Sequence, residues 1–160
     1  VMDLRILIRH LLSRGAPKVG IMGYSWGGFH ASMMACLEPR TDFIVSVAPV
    51  VSIADLVISW PMRSFFEEAL DEPAMMIREL RKILAPFTPL SHSLDIPKER
   101  VLLAASPNDG IIPAVHTEAL WEHFGRPEAY WSCGGHILYF DKARVTDRAL
   151  QFLRNLEVIP

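Results

Sequence analysis

The stretch between Val19 and Gly28 constrains the fold most, because an apolar run ends there in a serine flanked by glycines and a helical pattern begins directly after it. So short a connection drives Ser25 toward positive φ, a strain of order 1–3 kcal/mol for a residue other than glycine. Because glycine has no Cβ, we predict that Gly23 and Gly27 avoid collisions with neighbouring backbone. The stretch therefore predicts a strand, a tight turn and a helix, and the simpler alternative is such a turn with an ordinary serine.

Apolar segments and helical patterns alternate along the rest of the chain. The predicted strands cover 18–24, 42–51, 100–105 and 128–132, and the predicted helices cover 3–14, 25–37, 113–124 and 142–156. This order is typical of βαβ units, so we predict an α/β fold with a mostly parallel sheet of about four strands and helices on both faces.

Residues 52–92 interrupt this alternation with helical patterns around 53–59, 62–70 and 74–84, separated by prolines. We predict one domain over residues 1–160 with a helical, cap-like insertion at 52–92, and simple packing of these helices on the body is the alternative. Such an insertion can line an apolar pocket. The candidate pocket residues, for which core packing is the alternative, are Trp60, Phe65, Phe66, Met75 and Met76.

The overall composition argues against several classes of partner. The formal net charge is −2 and the basic residues form no cluster, which argues against nucleic acid. No apolar run approaches the ~20 residues of a membrane span. Cys36 and Cys133 give no disulfide framework, and the first residues lack the layout of a signal peptide, so we expect a cytoplasmic protein. The spacing of His and Cys indicates no metal site, and we expect neither metal nor cofactor.

Ser25, Asp109 and His136 each follow the end of a predicted strand. Because ligands of parallel α/β sheets bind beyond the carboxyl ends of the strands, we expect the three side chains to converge. A serine hydroxyl is a weak nucleophile until an imidazole takes its proton, and a carboxylate orients that imidazole. The sequence therefore predicts nucleophilic chemistry at one edge of the sheet. The alternative for Asp109 is a turn residue that binds its own backbone, and the alternative for His136 is a packed loop histidine.

Three segments resemble the nucleophile, acid and histidine segments of the α/β-hydrolase superfamily. They are Gly23-Tyr24-Ser25-Trp26-Gly27-Gly28, Ser106-Pro107-Asn108-Asp109-Gly110-Ile111-Ile112-Pro113 and Gly134-Gly135-His136-Ile137. The Gly-Gly-His-Ile form is similar to that of poorly characterised abhydrolase-domain proteins. The resemblance implies that Ser25 is the nucleophile, His136 the general base and Asp109 the acid, with Asp55 as second choice for the acid. It also implies that the backbone N–H of Trp26 is one donor of an oxyanion hole.

The N-terminal side departs from the superfamily pattern. The resemblance implies a larger sheet, with strands and a second oxyanion donor before the segment at 18–24, and only a helix precedes that segment here. An apolar strand with an unpaired edge invites pairing. We therefore expect either the C-terminal part of a longer hydrolase or a short form completed through the 18–24 strand by a partner chain or a second copy.

The resemblance implies a serine hydrolase that acts on small carboxylic esters through an acyl-enzyme intermediate. A catalytic portion similar to prolyl-oligopeptidase peptidases is one alternative. A non-catalytic remnant of the α/β-hydrolase fold, used for binding or assembly, is the other.

Overall fold

The protein is described here from a computed structural model, which covers residues 1–59, 73–136 and 142–160. The helices of these ranges are α1 (Met2–Ser13), α2 (Trp26–Leu37), α3 (Ile53–Ser59), α4 (Pro73–Leu84), α5 (Ala114–His123) and α6 (Lys142–Asn155). The strands are β1 (Ile21–Tyr24), β2 (Ile44–Val47), β3 (Val101–Ala105) and β4 (Glu128–Trp131). Short 3₁₀ turns lie at Ala85–Phe87, Pro89–Ser91 and Lys98–Arg100. The predicted helix around 62–70 lies outside the described residues.

The four strands form one parallel sheet in the order β1-β2-β3-β4. Ile44 pairs with Ile21 on one side and with Val101 on the other, so β2 and β3 form the centre of the sheet. Parallel strands need long crossover connections, which α2 and the segment that includes α3 and α4 supply. The predicted α/β class, strand number and strand direction are confirmed.

Both faces of the sheet carry helices, and the alternation of side chains along each strand assigns residues to a face. On one face, Ile44 and Leu103 pack in the cluster that contains Met34 of α2 and Leu120 of α5. On the opposite face, Val45 and Leu102 pack with residues of α6, including Phe152. Nearly every residue of β2 and β3 is therefore buried, as their apolar sequences predict.

Helix α1 leaves part of its apolar surface exposed. Ile8 is buried and Leu4 and Leu12 pack against the core, whereas Leu7 is 50% exposed. Leu11 is exposed as well. Within the described residues, α1 therefore contacts the body along a stripe narrower than its apolar surface.

The second strand ends earlier than the apolar run 42–51 predicts. Ala48 takes a φ of 45°, outside the β region, and its N–H donates to the carbonyl of Ala104 at 2.7 Å. The chain therefore turns out of the sheet directly after Val47. None of the helices in the described ranges is long and apolar enough to cross a membrane.

Candidate active site

Ser25 lies in the turn between β1 and α2, as the sequence predicts. Its φ is 56° and its ψ is −114°, a strained conformation for a residue with a side chain. Its N–H donates to the carbonyl of Val47 at 2.8 Å, which ties the turn to the carboxyl end of β2. Strand pairing and the start of α2 thus hold the serine in a backbone geometry that it would not adopt by itself.

The glycines around Ser25 differ in their roles. A Cβ on Gly23 would lie 2.1 Å from the carbonyl oxygen of Gly27, so the prediction for Gly23 agrees with the structure. A Cβ on Gly27 would meet nothing within 4 Å, and the predicted collision there is wrong. Gly28 is the second crowded position, because its Cβ would lie 2.9 Å from the carbonyl oxygen of Val47. Close packing of α2 on β2 therefore requires a glycine at position 28.

The imidazole of His136 lies between the other two candidate residues. Its Nε2 is 3.0 Å from Ser25 Oγ, and its Nδ1 is 2.7 Å from Asp109 Oδ2. The His136 side chain is 10% exposed and that of Asp109 is 2% exposed, so little water competes for the contact between them. The structure thus brings together a hydroxyl, an imidazole and a carboxylate that lie far apart in the sequence.

Asp109 is fixed by its own turn. Its Oδ1 accepts hydrogen bonds from the N–H groups of Ile111 at 2.9 Å and Ile112 at 2.8 Å, which leaves Oδ2 facing His136. Both oxygens of this buried carboxylate therefore have partners. One oxygen of Asp109 thus binds the turn and the other binds the imidazole, so the two contacts do not exclude each other.

The loops that carry Asp109 and His136 are joined directly. Asn108 Nδ2 donates to the carbonyl of Cys133 at 3.3 Å, and the N–H of Ser132 donates to the carbonyl of Ala105 at 2.7 Å. The position of Asn108 next to Asp109 is the one signal that the sequence offers for this contact, and it does not reveal the partner across the sheet.

Asp55, the second choice for the acid, has different partners. Its carboxylate accepts a hydrogen bond from Arg81 Nε at 2.9 Å and a closer one from Nη2 of the same guanidinium. Burial raises the pKa of Asp55, but the contacts with Ser52 and Arg81 outweigh that effect and leave the pKa below its usual value. The structure therefore pairs the imidazole of His136 with Asp109 and joins Asp55 to α4.

The backbone N–H of Trp26 lies at the first position of α2, directly after Ser25. The first N–H groups of a helix have no carbonyl within the helix to bind, and they point toward its positive end. The first hydrogen bond of this helix runs from the N–H of Phe29 to the carbonyl of Ser25 at 3.0 Å. The Trp26 N–H therefore lies in the first turn of α2, directly beside Ser25.

An apolar groove of about 550 Å³ opens beside His136. It runs between the outer part of the sheet, with Met22 and Tyr24, and helix α6, with Val145 and Ala149. Of the predicted pocket residues, Met75 and Met76 are about half exposed on α4 and do not line this groove. The predictions for Trp60, Phe65 and Phe66 lie outside the described residues. Among the described residues, no group of His, Cys, Asp and Glu has the arrangement of a metal site.

Comparisons with known proteins identify the fold. No protein-family model matches the sequence. The chain is 28% identical over 147 residues to the uncharacterized protein Rv2627c of Mycobacterium tuberculosis strain ATCC 25618 / H37Rv, and an uncharacterized protein of strain CDC 1551 / Oshkosh matches equally. The matched region covers 91% of this chain and 35% of those relatives, so the chain spans about a third of their length.

Three solved structures with the same fold are enzymes by name. An esterase of Pyrococcus furiosus has a TM-score of 0.68 and 18% identity, over 96% of this chain and 60% of the esterase. Acetyl xylan esterase 1 of Thermoanaerobacterium sp. JW/SL YS485 has a TM-score of 0.64 and 22% identity, over 87% of this chain and 45% of that one. Puromycin hydrolase has a TM-score of 0.71 and 18% identity, over 100% of this chain and 25% of that one.

Two of these neighbours are named as esterases and one as a hydrolase, and this chain corresponds to part of the length of each. The resemblance inferred from the three motif segments is thus confirmed at the level of the fold. At these identities the likeness establishes architecture alone, because one fold hosts many functions.

Proposed function

We propose that this chain carries the nucleophile, base and acid of a serine hydrolase that cleaves carboxylic esters. The observation that carries the proposal is the position of His136, with Nε2 3.0 Å from Ser25 Oγ and Nδ1 2.7 Å from Asp109 Oδ2. These distances lie within the range that proton transfer between a nucleophile and its base requires.

The reaction follows from the roles of these groups. Ser25 Oγ attacks the ester carbonyl carbon while its proton passes to His136 Nε2, and Asp109 stabilises the resulting imidazolium through the Nδ1 proton. The carbonyl oxygen becomes an oxyanion, which the N–H of Trp26 stabilises. When the intermediate collapses, His136 returns the proton to the departing alkoxide, and Ser25 is left acylated. Water then attacks the acyl carbon with the same proton path, which releases the acid and restores Ser25.

The second oxyanion donor comes from outside the described residues. One donor alone is a serious deficit, since removal of one donor typically reduces kcat by ~10²–10³. Strand β1, which carries Ser25 at its end, is an edge of the sheet within the described residues, and Met22 on it is 54% exposed. We propose that a further strand, from the rest of the protein or from a partner chain, pairs with β1 and brings the second donor.

Labelling with a fluorophosphonate probe tests the assignment of Ser25. In the full-length protein we expect covalent labelling that is lost in Ser25→Ala and retained in the control Ser13→Ala, which removes an exposed hydroxyl of α1. Absence of labelling in the folded full-length protein contradicts the proposal and favours the non-catalytic reading.

The two candidate acids provide a second, matched comparison. Asp109→Asn removes the charge that faces the imidazole, and we expect labelling to slow by about 10³- to 10⁴-fold. Asp55→Asn removes a carboxylate that binds Arg81, and we expect labelling within about twofold of the wild-type rate, because that carboxylate does not contact His136. Equal effects of the two substitutions contradict the assignment of Asp109.

A substrate panel separates the ester reading from the peptidase reading. We expect turnover of short acyl esters to exceed that of peptide amides. The link to peptidases rests on the fold, and we identify no peptide-binding element among the described residues. Preferential cleavage of peptides by the labelled protein would favour the peptidase reading.

A further inference from the structure

Tyr24 is the last residue of β1 and precedes Ser25 directly. Residues two apart in a strand lie on the same face, so Tyr24 shares the face of Met22 and lines the groove beside α6. The strand-turn-helix pattern places no demand on this position, since the turn constrains the serine and the glycines around it. A large aromatic side chain here therefore needs an explanation of its own.

Tyr24 contacts His136 in two ways. The phenolic hydroxyl donates a hydrogen bond to the main-chain carbonyl of His136. The centroid of the phenol ring lies 5.0 Å from that of the imidazole, with the ring planes tilted by 36°. One side chain thus contacts both the backbone and the ring of the same residue.

The segment that presents His136 requires such support. The N–H of Ser132 and the carbonyl of Cys133 are anchored to the loop after β3, but Gly134 and Gly135 separate these anchors from His136. Glycine restricts the backbone least of all residues, so anchors before it define the position after it poorly. Hydrogen bonds at Nδ1 and Nε2 act on the two ring nitrogens, whereas the hydrogen bond from Tyr24 acts on the main chain of His136.

We propose that Tyr24 is a positioning residue that fixes the main chain and ring tilt of His136 relative to Ser25. This inference rests on the proposed hydrolase function, in which small displacements of the base reduce the rate strongly. Tyr24 has no chemical step of its own in the proposed reaction. It acts through His136, and because it belongs to the same rigid strand end as Ser25, it keeps base and nucleophile in a common frame.

Steady-state kinetics of ester hydrolysis in the full-length protein test the proposal. Tyr24→Phe keeps the ring and removes the hydroxyl, and we expect kcat to fall about five- to tenfold, the factor associated with one neutral hydrogen bond, with KM within about twofold. Tyr24→Leu removes both contacts, and we expect a further fall of about tenfold in kcat. Tyr130→Phe makes the same chemical change on β4 and should leave kcat within about twofold. Wild-type kcat in Tyr24→Phe, or an equal fall in Tyr130→Phe, overturns the proposal.

A spectroscopic readout separates this proposal from the proposed function. The proton between His136 Nδ1 and Asp109 is observable by NMR when its exchange with water is slow, whether or not the protein turns over ester. We expect this signal in the wild type and Tyr130→Phe, and we expect it to broaden in Tyr24→Phe and vanish in Tyr24→Leu while the backbone spectrum stays folded. An unchanged signal in both Tyr24 variants overturns the positioning role even if ester turnover is observed. A protein without turnover whose signal responds as described fails the hydrolase proposal but retains the positioning of His136 by Tyr24.

Discussion

Glu38 follows α2 and binds two arginines, Arg40 in the turn after that helix and Arg5 on α1. Its side chain is 1% exposed and accepts hydrogen bonds from Arg40 Nε and Nη2, both at 2.6 Å, and from Arg5 Nε at 3.1 Å. The hydrogen bonds from Arg40 lower the pKa of Glu38 most, burial opposes them, and Arg5 adds a further decrease, so the pKa falls to about 2. The folded state therefore holds this carboxylate ionised more strongly than the unfolded chain does.

The sign and size of the stability effect follow from this decrease. A pKa that is lower in the folded state stabilises the protein fully above the unfolded value, and the effect is lost as the pH falls toward about 2. A decrease from 4.5 to about 2 corresponds to about 3 kcal/mol. Both arginines are partly exposed, so solvent screening reduces the expected contribution to about 2 kcal/mol.

We predict that Glu38→Gln lowers the free energy of unfolding by about 2 kcal/mol at pH 7. Urea unfolding followed by circular dichroism at a series of pH values measures the difference, which should shrink between pH 4.5 and pH 2. Glu122→Gln is the matched control, because Glu122 pairs with Arg126 at 3.0 Å on the exposed surface of α5 and should contribute less than about 1 kcal/mol. A loss in Glu38→Gln no larger than in Glu122→Gln, or a difference that persists undiminished at pH 2, would refute the reasoning.

Two further predictions concern the strand that carries the nucleophile. Gly23→Ala should abolish labelling of Ser25 and lower the melting temperature strongly, because the added Cβ would lie 2.1 Å from a backbone oxygen. Gly27→Ala should keep labelling and melting temperature close to those of the wild type. Equal melting temperatures of the two variants would contradict the geometry of the turn. The N–H groups of Ile21 and Ser25 donate to β2, so that of Met22 points to the outer edge of β1. If a further strand pairs there, hydrogen exchange of the Met22 amide in the full-length protein should be slow, and rapid exchange would count against such pairing.

The sequence predicts the main features of the site because they depend on strand order and strand ends. The apolar runs of β2 and β3 identify buried parallel strands, and polar residues directly after parallel strands lie at one edge of the sheet. This rule predicts that Asp109 and His136 lie near Ser25, although the three residues are far apart in the sequence. The strained φ of Ser25 is likewise a local consequence of so short a connection between β1 and α2.

Other features escape prediction because they depend on contacts between distant segments. The open space around Gly27 depends on how the surrounding segments pack, which the sequence of the turn does not reveal. Strand β2 ends at Val47 because Ala48 takes a φ of 45°, and the apolar run 42–51 does not reveal this turn. The choice between Asp55 and Asp109 depends on which loop lies beside the imidazole. The division of 1–160 into one domain with an insertion at 52–92 stays a prediction.

The proposed reaction needs groups that move a proton and groups that stabilise charge, and the described residues supply these two sets to different extents. The groups that move a proton are all present, since Ser25, His136 and Asp109 are joined by hydrogen bonds and belong to segments that contact one another directly. Among the described residues, the Trp26 N–H is the only donor proposed for the oxyanion. Strand β1 beside it pairs with β2 alone among the described strands. The proposed proton path can thus form within this chain. We propose that full rate acceleration needs further donors, brought in along the edge of β1 that has no neighbour among the described residues. Chemical labelling depends mainly on the groups that move the proton, whereas ester turnover depends on these groups and on the oxyanion hole. A protein that is labelled readily but hydrolyses esters slowly therefore has the proton path without a complete oxyanion hole.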